Sequence, residues 1–144
     1  MDAVTALPVP SNEPILDYAP GSAERAGIES ALRDLGSQTT ELTMTIAGKQ
    51  RMAGGESIDV VSPHRHAHVL GRTANAVAAD VQAAVDAALG AAPQWRELPF
   101  EERVAVFLRA ADLLSGPWRA RLNAATMLGQ SKTVIRPRST QHVS

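Results

Sequence analysis

The 144-residue chain contains no cysteine. That excludes disulfides, zinc–thiolate centres and any reaction in which this chain supplies a thiolate nucleophile. Aromatic residues are also scarce: Tyr18, Trp95, Phe100, Phe107 and Trp118 are the full set. A core must therefore be assembled from Ala, Val and Leu. The chain has no excess of positive charge, its 14 Lys and Arg being balanced by 15 Asp and Glu for a net charge of −1. Nothing in that balance favours nucleic acid or an anionic membrane as a partner. No apolar run approaches the roughly 18 residues of a membrane span. The opening "MDAVTALPVPSNEP" lacks a basic n-region and is broken by prolines. It does not read as a secretory signal, so the cytosol is the expected compartment.

What is present is 44% apolar and 20% charged residues, the balance of a globular chain rather than a disordered one. Residues 1–21 carry Pro8, Pro10, Pro14 and Pro20 and are expected to form an extended arm. Ser22 is placed to cap a helix running through Leu35. Glu24 lies in its first turn and Gly36 at its stop. The period then shortens to two: Leu42, Met44 and Ile46 alternate with polar residues as in a half-buried strand. "QRM", "SIDVVSP" and "HAHVLGRT" continue a set of short strands, expected to be antiparallel because parallel pairs need long crossovers.

Beyond Asn75 the pattern turns helical. Val77, Val81, Ala84, Val85 and Ala88 share one face, with Asp80 and Asp86 off it, and Gly90 and Pro93 are expected to end the helix near residue 92. "LPFEERVAVFLRAADLL" is the clearest amphipathic stretch, opened by Glu101 and Glu102 where the helix dipole favours carboxylates. After "SGP", Pro117 suits the first position of a last helix whose inner face is expected to carry Trp118, Leu122, Ala125 and Met127. The expected architecture is an α/β fragment: arm, helix, short antiparallel strands, then three amphipathic helices at 77–92, 100–115 and 117–129.

Chemistry-bearing patterns are few. In "PHRHAHV", a strand would point His64, His66 and His68 to one face. Imidazole is a common metal ligand, but a centre also needs second-shell partners and usually a ligand from elsewhere. A polar edge strand with hydrogen-bonded or solvated histidines is the favoured reading. "AGG" at 53–55 lacks the lysine and hydroxyl of a phosphate loop and reads as a hairpin turn. "GQSKT" at 129–133 lacks the upstream glycine and strand, and reads as a helix-terminal turn. Glu101 and Glu102 are sequence neighbours and diverge on a helix. No serine is framed as a nucleophile. No catalytic, cofactor-binding or metal-ligating residue is assigned.

One resemblance is specific. "IAGKQRMAGGESIDVVSPHRHAHVLGRTANA" is similar to the opening of the aldehyde dehydrogenase superfamily, where "v-x-G", "i-x-v-x-x-P" and "v-l-g-x-x-x-x-A" follow in order. "VQAAVDAALGAAPQWRELPFEERVAVFLRAADLL" resembles its helix pair, with Trp95 and Arg103 in the expected places, and "LNAATMLGQSKT" resembles the next helix, which usually ends in Gly-Lys. "EPILDYAPGSAER" and "MLGQSK" narrow the likeness to the 1-pyrroline-5-carboxylate (L-glutamate γ-semialdehyde) dehydrogenases, over about residues 12–133. The resemblance implies NAD-dependent oxidation of glutamate γ-semialdehyde to glutamate in proline breakdown, by a homo-oligomer. It implies a cysteine nucleophile forming a thiohemiacetal, with an asparagine and a backbone amide holding the oxyanion. None of these groups maps onto a position here.

The chain is therefore expected to be a truncated, inactive N-terminal piece, 22–133 being part of the NAD-binding domain, without NAD of its own. Its expected fate is aggregation or union with a missing C-terminal part. A free-standing helical interaction module is the alternative.

The last residues, 134–144, fit an out-of-frame tail. Arg136–Ser144 back-translates as CGG CCG AGA TCG ACT CAG CAT GTG AGT. Read from the third base, it gives Ala-Glu-Ile-Asp-Ser-Ala-Cys-Glu, which resembles the family's next helix, "xxQAEIDAACEL".

Overall fold

The computed structural model describes residues 12–134. The prolines at 8 and 10 and the tail beyond residue 134 lie outside that range. Nine elements follow in order: α1 (Ala23–Gly36), β1 (Thr40–Glu41), β2 (Met44–Ile46), β3 (Lys49–Arg51), β4 (Ser57–Ser62), β5 (Arg65–Ala74), α2 (Ala78–Glu97), α3 (Phe100–Ser115) and α4 (Arg119–Gln130).

Residues 12–19 form neither helix nor strand. They are tied to α4 where Arg119 Nη1 donates to the Pro14 carbonyl (2.8 Å) and Asn123 Nδ2 to the Tyr18 hydroxyl (3.0 Å). Ser22 caps α1 as expected, its Oγ accepting from the Arg25 amide. Glu24 occupies the first turn and Gly36 is the last helical residue. Ile28, the buried residue of this helix, faces the body of the fold, where α1 packs on α4.

The strands form two separate sheets. One is three-stranded in the order β1-β5-β4, and the other is the β2–β3 hairpin. β2–β3 and β4–β5 are antiparallel, in line with expectation, with Met44 opposite Arg51 and Val60 opposite Gly71. β1 departs from it: Thr40 and Glu41 pair with Gly71 and Arg72 in parallel. The long connection that a parallel pair demands is present, because the hairpin and β4 intervene. Leu42 is not part of β2. Its amide donates to the Arg72 carbonyl (2.7 Å), so the alternating run breaks at residues 42–43 between two sheets. Gly71 is required at this crowded point, since a Cβ there would lie 2.8 Å from the Thr40 carbonyl oxygen.

The helices also differ in detail from expectation. α2 continues through Pro93 to Glu97. Trp95, past the proline, packs edge-on against Phe107 of α3 with centroids 6.5 Å apart, which favours the extra turn. α4 starts at Arg119, because residues 116–118 form a turn that leaves Pro117 outside the helix. Its buried position is Ala124, flanked by half-buried Met127 and Leu128, whereas Trp118 is 54% and Leu122 39% exposed. The helix is rotated from the expected face because α1 lies on the Ala124 side.

Candidate functional site

The three histidines of "PHRHAHV" are not brought together. His64 precedes β5 in a turn, so the alternation that would align it with His66 and His68 does not reach it. Its Nδ1 lies 3.0 Å from Ser131 Oγ at the end of α4, and Ser62 Oγ stands 3.3 Å from the ring. His66 is exposed. His68 Nε2 donates to the Gly36 carbonyl at 2.8 Å, so that imidazole caps the C-terminal end of α1 and ties it to β5. Among the described residues no group of three or more His, Cys, Asp or Glu side chains could hold a metal ion. β5 is the central strand of its sheet, but β1 pairs with it at Gly71 and Arg72, so the stretch carrying His66 and His68 has its ladder with β4 alone.

The two glycine-containing stretches do local work. "GQSKT" spans the end of α4, where Ser131 takes the left-handed conformation (φ 53°) at the C-cap, as a helix-terminal turn requires. "AGG" is not a hairpin turn: β3 pairs with β2 and β4 with β5, so residues 53–55 pass from one sheet to the other. Gly55 is compulsory there, because a Cβ would stand 2.5 Å from the Asn75 carbonyl oxygen. Glu101 and Glu102 lie exposed in the first turn of α3.

The most completely built polar centre is one that the helical pattern does not reveal. Asp80, expected off the apolar face, is only 5% exposed. Its Oδ2 accepts from the Gly54 amide (2.9 Å) and the Val77 amide (3.1 Å), and its Oδ1 pairs with Arg51 Nη2 at 2.9 Å. The Gly54 and Val77 amides, with Arg51 adding to them, hold this carboxyl below the usual carboxylate range against the upward push of burial. A carboxylate at the third helical position that reaches back to the N-cap amide is half of a capping box. The available signal was an Asp three residues after the helix start. Its partner Gly54, 26 residues upstream, gave none.

Against these satisfied polar groups stands a large unsatisfied apolar surface. α3 buries no residue at all: Phe100 is 70%, Phe107 67% and Leu108 57% exposed. The α2 stripe is little better covered, with Val81 56% and Leu89 66% exposed. Within α3, Arg103 Nε is buried and lacks an acceptor among the described residues. A groove of about 710 Å³ lies between residues 12–14 and the α3–α4 corner. No described helix is long and apolar enough to cross a membrane, so this surface is not a bilayer span. Bare apolar faces of this extent mark surfaces for interaction or aggregation.

The chain is similar to known proteins along most of its length. A family model described as "Aldehyde dehydrogenase family" matches residues 50–141. The chain is 42% identical over 125 residues to the mitochondrial delta-1-pyrroline-5-carboxylate dehydrogenase of Mus musculus, covering 87% of this chain and 22% of that protein. It is 42% identical over 130 residues to the delta-1-pyrroline-5-carboxylate dehydrogenase of Agaricus bisporus, covering 90% and 24%. Among solved structures, the Mycobacterium tuberculosis delta-pyrroline-5-carboxylate dehydrogenase bound with NAD superposes with a TM-score of 0.88 at 57% identity. That match covers 93% of this chain and 25% of the other. The Thermus thermophilus enzyme gives 0.75 at 28% identity, covering 86% and 24%. The chain thus spans about a quarter of the length of the relatives it matches.

Proposed function

The chain belongs to the aldehyde dehydrogenase family, and we propose that it supplies the N-terminal segment of a 1-pyrroline-5-carboxylate dehydrogenase. The reaction assigned to the whole protein is NAD-dependent oxidation of glutamate γ-semialdehyde to glutamate, carried out in the cytosol by a homo-oligomer. The observation that carries this reading is the likeness to the M. tuberculosis enzyme along 93% of the chain at 57% identity. The bare faces of α2 and α3 support it, because they fit burial by a large covering partner.

The role read for these residues is architectural. The family's nucleophile is a cysteine, and none of the 144 residues is one. No dinucleotide site is assigned to the described residues. The single direct strand-to-helix junction, from β5 into α2, already directs its N-terminal amide at the Asp80 carboxylate. A phosphate there would meet a like charge instead of the free amides that helix N-termini offer to anions. No reaction step is therefore routed through this chain's side chains. What the segment contributes is the α1–α4–sheet body and two helices presented for burial.

The tail at 134–144 is read as out of frame on the codon argument alone, since the family match itself runs on to residue 141. The nucleotide sequence around Ile135 decides that point, and an in-frame natural terminus with no enzyme-like coding after it ends the idea.

The function is tested by assaying NADH formation from 1-pyrroline-5-carboxylate. The purified chain alone is expected to give none. Residues 1–133 joined to the remaining three quarters of the M. tuberculosis relative are expected to give turnover. Turnover by the isolated chain contradicts the architectural role, and a soluble, folded fusion without turnover contradicts the family reaction.

A further inference from the structure

The β2–β3 hairpin stands apart from the rest of the fold. It shares no ladder with the β1-β5-β4 sheet. The chain is fixed on either side of it, where the Leu42 amide donates to the Arg72 carbonyl (2.7 Å) and the Gly55 amide to the Asn75 carbonyl (2.9 Å). Between those two points, among the described residues, no backbone-to-backbone bond ties the hairpin to anything but itself. A lone two-stranded hairpin is marginal in water, so something else must seat it.

Apolar packing is a weak candidate. β2 rests on α2 across an open cleft of about 460 Å³ lined by Met44, Ile46, Val81, Val85 and Ala88. Val81 and Val85 stay 56% and 45% exposed even with the hairpin in place. The strong contact is polar: Asp80, in the first turn of α2, holds Arg51 at the end of β3 and the Gly54 amide just beyond it. Two charge-assisted contacts from one nearly buried carboxylate, to Arg51 and to the Gly54 amide, outweigh a half-wetted apolar seat.

We infer that Asp80 is a latch. It holds the hairpin on α2, and its loss releases residues 43–54 as one unit from an otherwise intact body. The cleft beneath then opens between β2 and α2. The inference rests on these contacts and not on the enzyme reading, so it stands or falls separately. Among the described residues Arg51 is the charged group paired with Asp80, and the other two donors are backbone amides. The latch is therefore complete when the carboxyl is ionised. Because its pKa lies below the ordinary carboxylate value, the latch persists through mild acid and is lost as pH falls through that lowered value.

The test is residue-resolved amide exchange on the full chain, read as the ratio of hairpin rates (residues 44–51 and 54) to β4–β5 rates (residues 58–60 and 71–73). Asp80→Ala should raise that ratio about tenfold or more, the size expected for stranding buried partners. Asp80→Asn, which keeps an acceptor oxygen, should raise it less. Arg51→Gln, at a half-exposed side chain that folding tolerates, should raise it least. In the unaltered chain, acidification should raise the ratio through the same range. An unchanged ratio in Arg51→Gln and on acidification overturns the latch. So does equal acceleration of both sets in Asp80→Ala.

Discussion

Two halves of this molecule use the same kinds of residue to opposite effect. The body of α1, α4 and the β1-β5-β4 sheet closes on itself: Ile28 is 3% exposed, and Ala124 and Ser62 are fully buried. α2 and α3 are longer, and α3 is richer in large apolar side chains, yet α3 buries nothing and the buried residue of α2 is Asp80. Amphipathic pattern alone does not distinguish them. What differs is the presence of a partner face. α1 packs closely on α4, whereas α3 touches α4 lightly and meets Trp95 of α2 edge-on. An apolar stripe states that burial is needed but not where the covering surface comes from. In a chain that spans a quarter of its relatives, the surface for α3 is assigned to the other three quarters.

Substitutions sharpen the contrast. The largest effect is expected for Ile28→Ala, which should destabilise the chain by about 2–5 kcal/mol through the cavity it opens, measured as a fall in the urea midpoint. Gly55→Ala should cost about 1–3 kcal/mol, because the new Cβ meets the Asn75 carbonyl at 2.5 Å and the backbone must shift. Phe107→Ala removes a side chain of far greater area from α3. Even so, in the isolated chain it should cost only the edge-on contact with Trp95, about 0.5–1.5 kcal/mol. In the joined protein the same change should cost about 3–5 kcal/mol. Equal effects in both settings would break the comparison. The smallest effect is expected at the hairpin turn, where Ala47 and Gly48 both have positive φ (49° and 73°). Ala47→Asn should gain a few tenths of a kcal/mol there, seen as slower exchange within β2–β3.

Much of this was legible in the residues, and what was not has physical reasons. Ser22, Gly36 and the Glu101–Glu102 start mark their helix ends because caps are local chemistry. The antiparallel β4–β5 pairing follows from the short turn between the two strands. The course of α2 past Pro93 was not visible, since it is favoured by Trp95 reaching Phe107 on another helix. β1 was not visible either, because two residues carry no period and their partner is β5. The histidine triplet was legible as unassembled only in part. That His64 leaves the strand for a turn, and that His68 caps α1, depend on where α1 and α4 end. Asp80 is the clearest miss. A charged residue in an amphipathic pattern is read as solvated, and two of its three ties, to the Gly54 amide and Arg51, run to groups that the helix period does not contain.

The central claim, that α2 and α3 are presented for burial by the rest of a larger enzyme, is tested most directly by hydrogen exchange on two proteins. One is the isolated 144-residue chain, and the other is residues 1–133 joined to the remainder of the M. tuberculosis relative. In both, the amides of α1, α4 and β4–β5 should be protected, whereas those of α3 should be protected only in the joined protein. Protection of α3 in the isolated chain equal to that of α1 would contradict the account.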